Sequence, residues 1–191
     1  MSKQRKASIL IENRTGKDIL AAQIIHKYSD NYLNTLTWEN IPNGSTVKEA
    51  KFVDYNTGIA TTGKDWWHIT WIANDIQMYA TSPDNFRGVV DILEKATVSV
   101  AEPLAELAVA VAYTSPEPYS KAAAIAAIAI AGTTNVLLND SSTKGFKQHI
   151  LKEEDSQNPT RIILQPGNKV EFISPSGKSE TVYVDLKARK K

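Results

Sequence analysis

The 191-residue chain contains no cysteine. That excludes disulfides, thiolate nucleophiles, iron–sulfur clusters and cysteine-based zinc sites, and it agrees with a reducing compartment. Neither sign of charge is in excess: 22 basic residues stand against 21 acidic ones, for a net charge of +1. No global field draws the chain to nucleic acid, so no nucleic-acid partner is expected. Histidine is scarce. His26, His68 and His149 are the only three, they lie far apart, and none falls in an HExxH or other short ligand spacing. Neither a metal nor any other cofactor is expected.

Catalytic motifs are missing as well. No G-x-S-x-G elbow occurs. Gly58 to Lys64 matches G-x-x-x-x-G-K, but Asp65 stands where a P-loop needs a hydroxyl for magnesium. The aromatic residues that follow read as a strand, whereas phosphate binding requires a helix N-terminus there. No catalytic residue is therefore assigned, and a non-enzymatic protein is expected. After Lys3, Arg5 and Lys6 the apolar run Ile9–Ile11 is cut short by Glu12, Asn13 and Arg14, so no secretory signal is legible. A cytoplasmic location is the expectation, and any release would follow a non-classical route.

A chain of this length can bury a core without staples, and one domain is expected over residues 1–191. Residues 7–82 read as strands. Turn signals stand at Arg14-Thr15-Gly16-Lys17, at Pro42-Asn43-Gly44 and at Asn74-Asp75. The first predicts a hairpin between Ala7–Asn13 and Asp18–Tyr28, and the last a hairpin following Asp65–Ala73. Residues 83–153 read as a helical insert that opens at Ser82-Pro83-Asp84-Asn85, is interrupted at Pro103 and at Ser115–Pro118, and ends in a short helix near Lys144–Glu153. Residues 160–186 return to strands, with turns at Pro166-Gly167-Asn168 and Pro175-Ser176-Gly177. Residues 1–6 and 187–191 are short basic tails, expected as solvated ends. The helices come as a block, so the fold class expected is α+β: an antiparallel β-sandwich with a helical insertion between its two sequence halves.

Two features stand out against this background. All four tryptophans fall between Trp38 and Trp71. Side chains alternate along a strand, so Trp67, Ile69 and Trp71 share one face while Trp66, His68 and Thr70 share the other. With the first face in the core, Trp66 and His68 face outward and, with Tyr55 and Tyr79, form the candidate binding surface for a lipid headgroup or a sugar ring. The second feature is the alanine-rich segment 122–139, 18 residues without a charge. It is too weakly apolar, and too broken at Gly132-Thr133-Thr134-Asn135, for a span that needs about 20 strongly apolar residues. Leu104, Leu107 and Val111 on one helical piece, with Ile125, Ile128 and Ile130 on the next, are expected either to be buried or to reach a membrane or a second copy.

Several phrases taken together carry a resemblance. They are Ile9-Leu10-Ile11-Glu12-Asn13-Arg14-Thr15-Gly16, His26-Lys27-Tyr28-Ser29, Asp54-Tyr55-Asn56-Thr57-Gly58, Thr61-Thr62-Gly63-Lys64-Asp65-Trp66-Trp67, Asn85-Phe86-Arg87 and Gly145-Phe146-Lys147-Gln148-His149. In this order they resemble the up-regulated-in-Daf domain family over nearly the whole chain. That resemblance implies no reaction and supplies no catalytic residue. A looser similarity in style is to aegerolysins, small acidic β-sandwich proteins that bind membrane lipids and work with pore-forming partners. This chain departs from them in being longer, slightly basic and interrupted by the 83–153 segment. The resulting expectation is a non-enzymatic lipid- or glycan-surface-binding protein of defence or toxin type, membrane-active through its insert. The alternative is an intracellular structural or stress-linked protein whose apolar helices form core or a homo-oligomer interface.

Overall fold

Ten strands carry the fold among the described residues. The computed structural model describes residues 2–28, 32–58, 65–83, 126, 130, 143 and 145–186. The strands are β1 (Lys3–Asn13), β2 (Ile19–Tyr28), β3 (Tyr32–Ile41), β4 (Lys51–Thr57), β5 (Asp65–Ala73), β6 (Met78–Thr81), β7 (Lys147–Gln148), β8 (Thr160–Gln165), β9 (Lys169–Ser174) and β10 (Gly177–Leu186). They join in one sheet, ordered β3-β2-β5-β6-β10-β9-β8-β1-β4, with β7 attached to β5. The sheet curls into a nearly closed barrel. β10 makes the turn possible: Gly177–Val182 pair with β9, and Tyr183–Leu186 pair with β6.

Period-two alternation fills the interior. Ala7, Ile9 and Ile11 of β1, Trp67, Ile69 and Trp71 of β5, and Val170 and Phe172 of β9 all point into one core cluster. Along β2 both faces are buried, because Ile25, His68, Ile72, Met78 and Ala80 on the outer side of β2, β5 and β6 are enclosed as well. A strand covered on both sides reads as a near-continuous apolar run, which Ile19–Ile25 is, Gln23 excepted.

The barrel's two ends, β3 and β4, meet without a ladder. Asn34 stands in for one: its Oδ1 accepts the Asp54 amide at 2.9 Å, while the Trp38 indole N–H donates to the Glu49 carbonyl at 2.9 Å.

Several expectations need correction. The fold class is not α+β: among the described residues 64% are strand, 6% are helical, and no helix reaches seven residues. Nor is it an antiparallel sandwich, since one sheet wraps round and β1 runs parallel to β8 over Ile9–Asn13 and Thr160–Leu164. The short helix foreseen near Lys144–Glu153 is instead β7, an extended stretch and a 3-10 turn at Glu153–Ser156. Its polar and apolar groups are taken up by neighbouring strands, which outweighs local helix preference. The turn around Gly16 exists, with φ +91°, but β1 and β2 do not pair across it, because each finds longer partners elsewhere. The remainder of the expected insert, including Leu104, Leu107, Val111, Ile125 and Ile128, lies outside the described residues. Ile130 is described: it is helical and fully buried, as is Ala126 four positions before it.

Candidate functional site

The four candidate ligand residues do not form one surface. Trp66 and His68 do share the outer side of β5, as alternation demands, but His68 is 1% exposed and only Trp66 is left half-buried. Tyr55 is fully buried inside the barrel and donates its hydroxyl to the Lys152 carbonyl at 2.8 Å. Burial, and then the charge of Asp155, push its phenol above the usual range. Tyr79 sits opposite Trp71 in the β5–β6 ladder, stacks on that indole with ring centroids 5.5 Å apart, and meets Tyr183 edge-on. It belongs to the inner face, at the end of the barrel opposite Tyr55, where its hydroxyl and Lys17 Nζ are 3.1 Å apart.

Trp66 stays only half-buried because the sheet splits beside it. β6 is four residues long and ends at Thr81, with a last amide bond from Ser82 N to Val182 O at 2.9 Å. Beyond that point, among the described residues, no strand bridges β5 and β10, and the segment 145–152 enters the opening. On one side it forms the β7 ladder, Trp66 opposite Gln148 and Trp67 opposite Lys147. The Asp65 carbonyl takes the His149 amide at 3.1 Å, and the Asp65 carboxyl takes the Leu151 amide at 2.9 Å. On the other side the His149 ring reaches β9 and β10, with Nδ1 2.8 Å from Ser179 Oγ and Nε2 3.2 Å from Ser174 Oγ.

Outside this wedge lies a groove of about 630 Å³, lined by Trp66, Phe146, Lys147 and Gln148 on one wall and by Asn168, Lys169, Glu180 and Val182 on the other. Val182 is an exposed apolar side chain, and Lys169 is fixed by Glu171 at 2.8 Å and Glu180 at 2.9 Å. The hydrogen bonds that Lys169 donates to those carboxylates, Glu171 first, hold the ammonium above its usual range. Part of one indole, one exposed aliphatic group and several fixed polar groups thus share a solvent-open channel. That composition suits an amphipathic ring better than an acyl chain.

Inside the wedge the chemistry is different. Asp155 accepts Ser176 N at 2.8 Å, Ser176 Oγ at 2.6 Å and Lys152 N at 2.6 Å, and Ser176 Oγ is 3.2 Å from Ser174 Oγ. His26 Nε2 lies 3.0 Å from Asp65 Oδ1 and its ring lies 4.1 Å from the Trp67 ring. His149 touches hydroxyls and no carboxylate, so the hydrolase order of serine, histidine and acid is not assembled among the described residues. Burial lowers the His149 pKa, and the ring is spent holding the wedge in place.

Of the residues that line this groove, the sequence singles out Trp66 alone. Lys147 and Gln148 fall in the stretch expected to be helical, and Glu180 and Val182 carry no signal beyond strand alternation. The one usable clue was the brevity of Ile76–Thr81 beside the longer run Asp65–Ala73, which leaves an unpaired stretch on the longer strand.

A family model described as "Up-Regulated in long-lived daf-2" matches residues 3–183. No curated protein matches the chain.

Proposed function

The chain belongs to the family described as Up-Regulated in long-lived daf-2, and from that premise we propose that this member is a recognition protein that binds a glycan in the groove beside Trp66. The observation that carries the reading is the half-buried indole at the split between β7 and β10, flanked by the exposed Val182 and by the fixed Lys169–Glu180 pair. A pyranose ring has an apolar face for the indole and hydroxyls for the carboxylate, ammonium and amide groups around it. A lipid headgroup has less to favour it: Tyr55 and Tyr79, which were to complete an aromatic membrane contact, are turned into the core side of the sheet. No helix among the described residues is long and apolar enough to cross a membrane.

The test is a glycan-array screen followed by titration calorimetry with the wild-type chain and with Trp66→Ala. Binding by the wild type and its loss in the variant, with the thermal unfolding curve unchanged, is the expected result. A screen without a hit, or equal affinity for the two proteins, would overturn the reading.

A further inference from the structure

Two strand stretches, on β7 and β10, line the groove with amide groups that have no backbone partner among the described residues. On β10, the Tyr183 amide bonds the Asn168 carbonyl on the β9 side, while the Val182 carbonyl accepts Ser82 from the β6 side. Strand amides alternate sides, so the N–H and C=O groups of Lys178 and Glu180 also point away from β9, into the opening left where β6 stops. On β7, the His149 amide bonds Asp65 and Lys147 pairs with Trp67, which leaves Gln148 with its N–H and C=O directed away from β5. Gln148 and Glu180 both line the channel and both turn a backbone donor and acceptor away from their paired strands, and neither has a backbone partner on that side among the described residues.

Such an arrangement calls for a ligand that itself carries amides. An extended peptide would use the β10 edge, but the β7 edge offers it a single residue, too short for a ladder on that wall. A chain of backbone amides alone would also leave the Trp66 indole without an apolar ring face to stack on. A sugar bearing an acetamido group meets both demands, with its ring on the indole and its amide between the two edges. We propose that the groove selects a linear oligosaccharide of N-acetylated amino sugars, the acetamido groups pairing with the free backbone groups of Gln148 and Glu180. The inference rests on the Trp66 reading and adds to it the class of sugar.

Two oligosaccharides of equal length and linkage separate the possibilities: a β-1,4-linked N-acetylglucosamine tetramer and a β-1,4-linked glucose tetramer. Titration of the wild-type chain followed by amide chemical-shift mapping should give at least about tenfold tighter binding of the acetylated tetramer. The largest shifts are expected at the Gln148 and Glu180 amides, and Trp66→Ala should abolish them. Equal affinities would overturn the acetamido inference while leaving glycan binding intact. No binding of either would overturn the acetamido inference, whereas the glycan reading falls only with an array screen that gives no hit. Shifts at these amides with an acetyl-blocked tetra-alanine peptide and with neither sugar would mean strand addition instead, and the inference would fall. The wild-type shift map needs no variant, so an unfolded mutant cannot blur the outcome.

Discussion

Asp65 joins two parts of the chain that are far apart in sequence: one carboxyl oxygen lies 3.0 Å from His26 Nε2, and the other accepts the Leu151 amide at 2.9 Å. All three groups are buried. The pair ties the wedge segment 145–152 to β2 and β5, and so fixes the wall that carries Gln148.

Truncating this residue leaves a buried ring nitrogen and a buried amide without partners. Each orphaned group costs about 1–3 kcal/mol, so Asp65→Ala is expected to lose about 3 kcal/mol of unfolding free energy by urea titration. Asp65→Asn keeps an oxygen for Leu151 and should lose clearly less. If the alanine variant unfolds within about 0.5 kcal/mol of the wild type, the wedge is held by something else.

The seam between β3 and β4 makes a separate prediction. Asn34 Oδ1 is the acceptor for the Asp54 amide. Removing it with Asn34→Ala should cost about 1 kcal/mol, read as roughly fivefold faster hydrogen exchange at Asp54. Exchange at Ile69 and Trp71 in the centre of β5 should not change. A change at β5 as large as that at Asp54 would mean that the seam and the core open together.

What could be read from the sequence follows from the range of each interaction. Alternation is local, so Trp67, Ile69 and Trp71 were correctly placed on one face and Trp66 on the other. The β5–β6, β8–β9 and β9–β10 hairpins were legible because short turn-residue clusters join their strands. The parallel contact of β1 with β8 spans about 150 residues of chain and leaves no local mark. Tyr55, expected on the surface, is interior: Val53 and Tyr55 both stand on the buried side of β4 at a spacing of two. Lys144–Glu153 was read as helix from its composition, yet its place is fixed by Asp65, Ser174 and Ser179, all distant in sequence.

Acidification should destabilise the fold through His68. The ring is fully buried, and this desolvation, only partly offset by the Gly145 carbonyl and reinforced by Lys27, lowers its pKa from 6.5 to about 4. The folded state thus prefers the neutral ring, and below pH 6.5 the unfolded chain binds the extra proton. Stability is whole above that value and is lost as the pH falls toward 4, by about 3 kcal/mol from this group. His149, lowered by burial in the same direction, adds to the trend. Urea midpoints measured between pH 7.5 and pH 4.5 should fall steadily, and His68→Gln should flatten that slope. An unchanged slope in the variant would assign the pH dependence to other groups.

The side chain of Asn13 allows the sharpest single substitution. It is fully buried at the mouth of the barrel. Its Nδ2 donates to the Lys17 carbonyl at 2.8 Å and to the Ile41 carbonyl at 2.9 Å, while its Oδ1 accepts the Thr15 amide at 3.1 Å and the Thr15 hydroxyl at 2.8 Å. Asn13→Asp preserves the shape and reverses half of the chemistry, since a carboxylate then faces two carbonyl oxygens with no proton to offer. A loss of about 3 kcal/mol or more is expected at pH 7. Because protonation restores one donor, the deficit relative to wild type should narrow as the pH falls toward 4.5, against the downward trend set by the histidines. Asn13→Ser, which adds no charge, should show a pH-independent deficit. If Asn13→Asp and Asn13→Ser were equally destabilised at every pH, the two donated hydrogen bonds would not be what holds the Gly16 turn against β3.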